Sequence, residues 1–452
     1  MRQAPAATLA GLVQRRVRNL TPPQALILSF VGLSVVGMLL LKLPISSHQP
    51  TSWAQALFTS VSAATVTGLG VVDTGTHFTL FGQSVLMVLM QAGGLGLMTF
   101  GVFVIYLMRD RMSLGHRAAL SEALNQPGQE DMRHLLRMMF GFTAAMELAG
   151  TLLLALQWVP ELGWRDGLFH SLFYAVSAFN NAGFALHPDN LISYAGNPLI
   201  NLVIPVLFIG GGLGFVVIAD VIRKRRFRDY ALHTKVMLVG TLLINAVAML
   251  VVLVLEYGNP ATLGKLSGIG DKLMAAWFQG VAPRTAGFNT VDVAGLLAPT
   301  ALLTMVLMFI GGGSGSTASG IKLSTFVVLV LATRSFLRAD HRPVIFGRSI
   351  DSTLIMRALA ISTISLFCVV IGTFVLSITE QAAFLDIAFE AVSAFATAGL
   401  SRGITASLSG PGQAVIMLLM LVGRVGPLTL AFTLASRRRA AIQYPDGRVN
   451  IG

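Results

Sequence analysis

Four short stretches of this chain repeat one pattern that ends in glycine: Ser62-Ala-Ala-Thr65-Val66-Thr67-Gly68, Ser177-Ala-Phe-Asn180-Asn181-Ala182-Gly183, Val281-Ala-Pro-Arg284-Thr285-Ala286-Gly287 and Ser393-Ala-Phe-Ala396-Thr397-Ala398-Gly399. The glycines stand roughly 105 to 115 residues apart, so the chain is built from one unit used four times. Each stretch lies between long apolar segments. Four similar loops held inside a membrane can ring one axis, which restricts the fold to arrangements with fourfold pseudosymmetry.

The membrane setting follows from composition. Hydrophobic residues make up 54% of 452 residues and charged residues 12%, with mean hydropathy +0.74, a balance foreign to soluble domains of this size. Apolar runs long enough to span a bilayer fall at 25–44, 83–108, 138–159, 199–222, 236–257, 301–333, 358–378 and 413–435. Between the members of each pair lies a shorter amphiphilic stretch, at 53–64, 165–179, 271–282 and 384–395. These read as half-helices that enter the membrane and return through the glycine loop, where non-helical backbone is tolerated if it lines a cavity. The expected fold is an all-α polytopic membrane protein of eight transmembrane helices in four helix–pore-loop–helix repeats. Its repeats occupy 25–111, 138–228, 229–338 and 339–435, with an amino-terminal segment 1–24, a linker 112–137 and a carboxyl tail 436–452.

A net charge of +12 raises the question of a nucleic-acid partner, and the positions of the charges answer it. Basic residues cluster at Arg15 to Arg18, Arg109 to Arg137, Arg223 to Lys235, Arg334 to Arg357 and Arg437 to Arg448. Each cluster falls on the side opposite the glycine loops if spans alternate, as the positive-inside rule requires. The charge reports topology, with both termini cytoplasmic, the surroundings membrane lipid, and no nucleic acid. The first span is too long for a cleaved signal and is read as retained. The single cysteine, Cys368, lies mid-span and reads as a small core residue.

An ion stripped of water needs replacement oxygens, and rings of backbone carbonyls supply them without placing a full charge in the path. Turning consecutive carbonyls inward asks for angles that glycine adopts at low cost. Half-helices whose carboxyl ends face the pore add partial negative charge that favours a cation. Thr65-Val66-Thr67-Gly68 reads like one strand of such a potassium filter.

A second repeat lies about 24 to 28 residues beyond each loop glycine: Gly93-Gly-Leu-Gly96, Gly211-Gly-Leu-Gly214, Gly312-Gly-Ser-Gly315 and Gly423-Arg-Val-Gly426. Small residues here permit close approach of a loop or helix. The third copy extends to Gly311, Gly312, Gly313, Ser314, Gly315, Ser316, Thr317, Ala318, Ser319 and Gly320, followed by Ile321 and Lys322. A firm helix is excluded there, and a break near mid-membrane, with a mobile segment across the path, is expected. The same run is a near miss of a phosphate-binding loop, but its lysine neither follows the glycine directly nor precedes a hydroxyl residue. Arg424 falls at the depth of this segment. An arginine there costs about 3 kcal/mol or more if it faces lipid, so it is expected to meet the 311–320 segment as an electrostatic barrier, or else to be a structural charge. For Glu147 and Glu390 structural pairing is expected.

Taken together, Thr65-Val-Thr-Gly-Leu69, Gln91-Ala-Gly-Gly-Leu-Gly96, Arg284-Thr-Ala-Gly-Phe288, the Gly311 to Lys322 run and Gly423-Arg-Val-Gly-Pro-Leu-Thr429 resemble the Trk/Ktr/HKT superfamily of potassium transporters. The short eight-span, KtrB-type bacterial subunits are the most similar form. The resemblance implies a selectivity filter at Thr65 to Gly68, Asn180 to Gly183, Arg284 to Gly287 and Ala396 to Gly399, with potassium at Gly68, Gly183, Gly287 and Gly399. It implies a gate made of Gly311 to Gly320, Lys322 and Arg424. Glycine in all four places implies preference for potassium over sodium. It further implies a homodimer on a cytosolic ring of nucleotide-binding regulatory subunits, in the bacterial inner membrane, with sodium as a candidate activator and no cofactor in this chain. The carboxyl tail Tyr444 to Gly452 resembles the family's segment near that interface.

Two other classes fit the residues less well. An ion-coupled transporter of an organic solute also uses broken helices, but usually as twofold inverted repeats around a midplane site. An enzyme finds no chemistry: the histidines lack metal-ligand spacing, His170 and His187 have no carboxylates placed for zinc, and no nucleophile elbow occurs in a strand-to-helix context.

Overall fold

The computed structural model describes residues 22–108, 131–340 and 342–426. The carboxyl tail, most of the amino-terminal segment and most of the 112–137 linker lie outside the described residues. The regular structure of the described chain is helical, apart from a two-stranded hairpin of β1 (Val344–Ile345) and β2 (Arg348–Ser349).

The first unit comprises α1 (Pro22–Leu41), the half-helix α2 (Trp53–Ala64), the single turn α3 (Thr74–His77) and α4 (Leu80–Met108). In the second, α5 (Asp131–Phe179) breaks at Gly163, whose φ of 83° and ψ of 171° separate a long apolar arm from a half-helix. It is followed by α6 (Pro198–Leu213) and α7 (Phe215–Arg223). The third comprises α8 (Leu232–Glu256), half-helix α9 (Ile269–Val281), α10 (Ala298–Phe309) and α11 (Leu323–Leu337). The fourth has α12 (Ser352–Thr379), half-helix α13 (Phe384–Ala396) and α14 (Gly410–Val425). All four expected half-helices are therefore present, and α2 begins with a capping box between Ser52 and Gln55.

The two helices flanking each half-helix are unlike. Among the described residues, four helices are long and apolar enough to cross a membrane, and they are the first members of the four units: 24–41, the first arm of 136–179, 232–256 and 352–379. Of the second members, α4 runs unbroken from Leu80 to Met108, whereas those of the other units are shorter or broken. The run 199–222, expected as one span, is instead two helices bent by 96° about Gly214, which has φ 94°. Glycine permits this corner, since a left-handed φ costs other residues about 1–2 kcal/mol. The run 301–333 is interrupted from Ile310 to Lys322, as its glycine content requires. The helix of the fourth unit stops at Gly426, φ 93°, and the remainder of that expected span is outside the described residues.

The half-helices form the interior. Phe58, Phe173, Phe179, Phe278, Phe389 and Phe395 are fully buried, while outer-helix residues such as Leu242 (70% exposed) and Val254 (68%) present bare apolar surface, as lipid contact demands. Three second-helix glycines allow this packing: a Cβ at Gly93, Gly211 or Gly423 would run into the carbonyl oxygen of Ala64, Phe179 or Phe395. Those carbonyls occupy one equivalent position, four residues before the loop glycines Gly68, Gly183 and Gly399. In the third unit that position is Pro283, and Gly312 packs instead toward the Gly212 carbonyl, where a Cβ would come to 2.6 Å.

Candidate functional site

Each half-helix delivers its carboxyl end to a glycine loop. In three loops the chain leaves the helix through a bond spanning five residues: Thr67 N donates to Ser62 O, Ala182 N to Ser177 O and Ala398 N to Ser393 O, each at 2.8 Å. Pro283 has no N–H, and in the third loop Ala286 N donates to Ala282 O at 3.0 Å. The serine that opens the pattern braces two loops further. Ser62 Oγ accepts from Gly68 N at 3.1 Å, and Ser177 Oγ donates to Phe184 O at 2.9 Å.

All four glycines are left-handed, with φ of 92°, 70°, 74° and 79° at Gly68, Gly183, Gly287 and Gly399. The residue two before each is left-handed as well: Val66 (58°), Asn181 (59°), Thr285 (75°) and Thr397 (48°). Only the glycines were legible in the sequence. Val66, Thr285 and Thr397 are β-branched or bulky and resist this conformation, so nothing in their identity signals it. Alternation of left-handed residues with ordinary ones turns successive peptide planes the same way, which lets consecutive carbonyls line one side of each strand.

The loops close on one another in chain order. A Cβ built on Gly68 would strike the Ala182 carbonyl oxygen, and on Gly399 the Thr67 carbonyl oxygen; on Gly183 it would come to 3.0 Å from Ala286 O, and on Gly287 to 3.1 Å from Ala398 O. Every loop glycine thus faces the carbonyl that precedes the next loop's glycine, and the fourth faces the first. The result is a closed ring of backbone carbonyls at Thr67, Ala182, Ala286 and Ala398, with four helix carboxyl ends directed toward it. Such a ring suits a dehydrated cation.

Above the ring is an open cavity of about 280 Å³ lined by Gly68, Gly183, Asp73, Thr74, His187 and Asn190, among others. Asp73 caps α3 by accepting from Thr76 N at 2.8 Å. A carboxylate in such a mouth raises the local concentration of cations. Neither Asp73 nor Asn190 carried a motif; each follows its loop glycine closely in sequence, which was the one available signal.

The side chains of Asn180, Asn181 and Arg284 are committed to partners outside the ring. Asn180 Nδ2 donates to Gln91 Oε1 (2.6 Å), Val176 O (2.9 Å) and Glu147 Oε1 (3.2 Å). Arg284 contributes backbone to the third loop, but its guanidinium reaches Asn245 Oδ1 (3.2 Å) and Gly311 O (3.1 Å). Asn181 Nδ2 donates to Thr317 Oγ1 at 2.6 Å and so ties the second loop to the 311–320 segment. Glu390 accepts from Ser401 Oγ at 2.8 Å and from Thr405 Oγ1. The pairing expected for Glu147 and Glu390 is therefore with neutral donors.

The non-helical 310–322 segment is held by hydrogen bonds. Gly313 N donates to Gly212 O (2.8 Å), Thr317 N to Gly211 O (3.2 Å), Leu323 N to Gly312 O (3.0 Å), and Phe215 N to Gly315 O (3.1 Å). Gly311 N and Ile321 O close it at 2.9 Å, and Lys322 Nζ folds back on Ala318 O at 2.7 Å. Arg424, 2% exposed, donates to the Thr317 carbonyl, to Ser319 Oγ at 3.2 Å and to Gly93 O at 2.8 Å. It joins the fourth unit to the segment of the third and to the first, and no carboxylate meets it among the described residues. Arg424 thus lies against the 311–320 segment, with neutral oxygens as its partners.

Comparison with known proteins agrees with this architecture. The family model for the TrkH cation transport protein matches residues 13–441. The "Ktr system potassium uptake protein B" of Bacillus subtilis (strain 168) is 52% identical over 96% of this chain and 97% of its own. The "Potassium/sodium uptake protein NtpJ" of Enterococcus hirae is 36% identical over 98% of this chain and 100% of its own. The crystal structure of the potassium transporter TrkH from Vibrio parahaemolyticus shares the fold with a TM-score of 0.74 at 19% identity, covering 92% of this chain and 86% of that one. A ring of four glycine loops, first helices that span, second helices broken in the second and third units, and a family match over nearly the whole chain lead to one conclusion: the chain is a multi-pass membrane protein of the TrkH cation transport family.

Proposed function

We propose that this chain takes up potassium through a channel-like pore whose selectivity filter is the ring of four glycine loops. The observation that carries the reading is the closed sequence of contacts in which each loop glycine faces the carbonyl preceding the next. Backbone oxygens replace the hydration shell of the ion at Gly68, Gly183, Gly287 and Gly399, and an inside-negative voltage drives entry with about 2.3 kcal/mol per charge per 100 mV. The 311–320 segment, with Lys322 and Arg424, acts as the gate. Its hydrogen bonds to α6, to Asn181 and to Arg424 support a closed position, and the buried Arg424 and half-buried Lys322 there oppose passage of a further cation.

The names of the relatives in Bacillus and Enterococcus support potassium as the substrate. The second of those names also includes sodium, in keeping with sodium as an activator or companion ion. An organic solute finds no support among them. The word "system" in the first name supports a separate regulatory subunit, which we place on the cytosolic face as a nucleotide-binding ring beneath a homodimer, with both termini cytoplasmic in a bacterial inner membrane.

The test is flux into liposomes carrying purified protein under imposed inside-negative voltage, with potassium, rubidium and sodium compared. Potassium and rubidium flux well above sodium supports the filter. Equal flux of all three refutes it.

A further inference from the structure

Arg284 is 9% exposed, and among the described residues its guanidinium hydrogen-bonds two neutral oxygens: the side-chain oxygen of Asn245 and the carbonyl of Gly311. Its Nε meets no partner among the described residues. The two ion pairs among the described residues, Lys224 with Asp220 and Arg402 with Asp386, do not involve it. Buried charges are ordinarily paired, because an unpaired one bears the full cost of desolvation.

Beside this guanidinium lies a cavity of about 20 Å³, lined by Thr241, Arg284, Val281, Gly212, Leu213 and Gly312, among others. Thr241 is 8% exposed, and its Oγ1 is likewise without a partner among the described residues. One small cavity therefore has two buried polar groups on its wall with hydrogens to give, from α8 and from the third loop. A guest there must accept hydrogen bonds. Room for about one water-sized body suits a monatomic ion better than a tetrahedral oxyanion. The adjacent positive charge favours an anion over neutral water.

We propose that a single halide ion, chloride in the cell, binds in this cavity between Thr241 Oγ1 and Arg284 Nε. It compensates the guanidinium, and it fastens the third glycine loop to α8 and, through the Gly311 carbonyl, to the 310–322 segment. A neutralised Arg284 also leaves the nearby cation path free of a repelling charge. The site stands apart from the potassium reading, since it is defined by binding and not by transport.

The full-length protein is measured in detergent at constant ionic strength, with potassium chloride or bromide replacing potassium gluconate. The expected result is a saturable rise in melting temperature with either halide. Thr241→Val should raise the half-saturating halide concentration about tenfold, the loss of one hydrogen bond to a charged group. Thr241→Ser, which keeps the hydroxyl, should restore it. Crystals of the wild-type protein in bromide should show an anomalous peak beside Arg284 Nε, a readout that does not depend on any variant folding. A melting temperature indifferent to halide, an equal response in wild type and Thr241→Val, or a water without anomalous signal in the cavity overturns the proposal.

Discussion

Replacing Gly287 with alanine tests the ring where two loop glycines, Gly183 and Gly287, meet backbone to backbone. The glycine has φ 74°, which costs an alanine about 1–2 kcal/mol. Its new Cβ would lie 2.6 Å from the Cα of Gly183 and 3.1 Å from the Ala398 carbonyl oxygen. Carbon atoms pack at about 3.5–4.0 Å, so the second and third loops must part by about 1 Å, and backbone has no flexible side chain to swing aside. A carbonyl ring widened by this amount no longer matches a dehydrated potassium ion. Gly403→Ala is the control: φ there is 99°, but nothing lies within 4 Å of the added Cβ, so it bears the conformational cost without the collision. The assay is rubidium and sodium uptake into liposomes, normalised to correctly inserted protein. Gly287→Ala should lose at least tenfold of its rubidium-over-sodium preference, and Gly403→Ala should keep it. Equal preference in the two variants would show that the close approach of the loops does not set selectivity.

Further outcomes follow from the segment and the outer mouth. Arg424→Ala removes the donor from the Thr317 and Gly93 carbonyls and from Ser319 Oγ; it should raise potassium flux while lowering stability by about 1–3 kcal/mol, and unchanged flux in stable protein would make the arginine purely structural. Deleting several residues from 311–320 should likewise raise flux, and a folded deletion with wild-type flux would remove the segment from the gate. Tyr174 Oη accepts from the backbone N–H groups of Leu186 and His187, both at 3.1 Å, so its own proton goes to His187 Nδ1 at 2.7 Å. Burial, followed by the neighbouring His170, holds His187 below its ordinary value of 6.5, against the pull of Asp189 and Glu161. The stability given by this neutral imidazole is complete above pH 6.5 and declines as external pH falls through the lowered value. Flux should therefore drop between external pH 7.5 and 5 in wild type and far less in His187→Gln; identical profiles would exclude this histidine.

Much of the fold was written locally. The half-helices fell where amphiphilic stretches of 12 to 15 residues stood between apolar runs, and the interruption at 310–322 followed from ten consecutive small residues that cannot sustain a helix. The bend at Gly214 was missed because a glycine within an apolar run is equally compatible with a continuous transmembrane helix, as Gly96 in α4 demonstrates. What distinguishes them is tertiary: a Cβ at Gly214 would meet the Ser314 backbone, so the corner in the second unit and the irregular segment of the third require each other.

The sequence by itself determined a membrane protein of four similar units, the position of each glycine loop, and the break in the third unit, because hydropathy and backbone propensity act over a few residues. Tertiary structure decided how those loops meet. The facing of each glycine on the next loop's carbonyl, the left-handed Val66, Asn181, Thr285 and Thr397, and the reach of Arg424 from the fourth unit to Thr317 and Gly93 join residues about a hundred or more positions apart or depend on such contacts. Those conformations are strained or neutral in isolation, and only closure of the ring stabilises them.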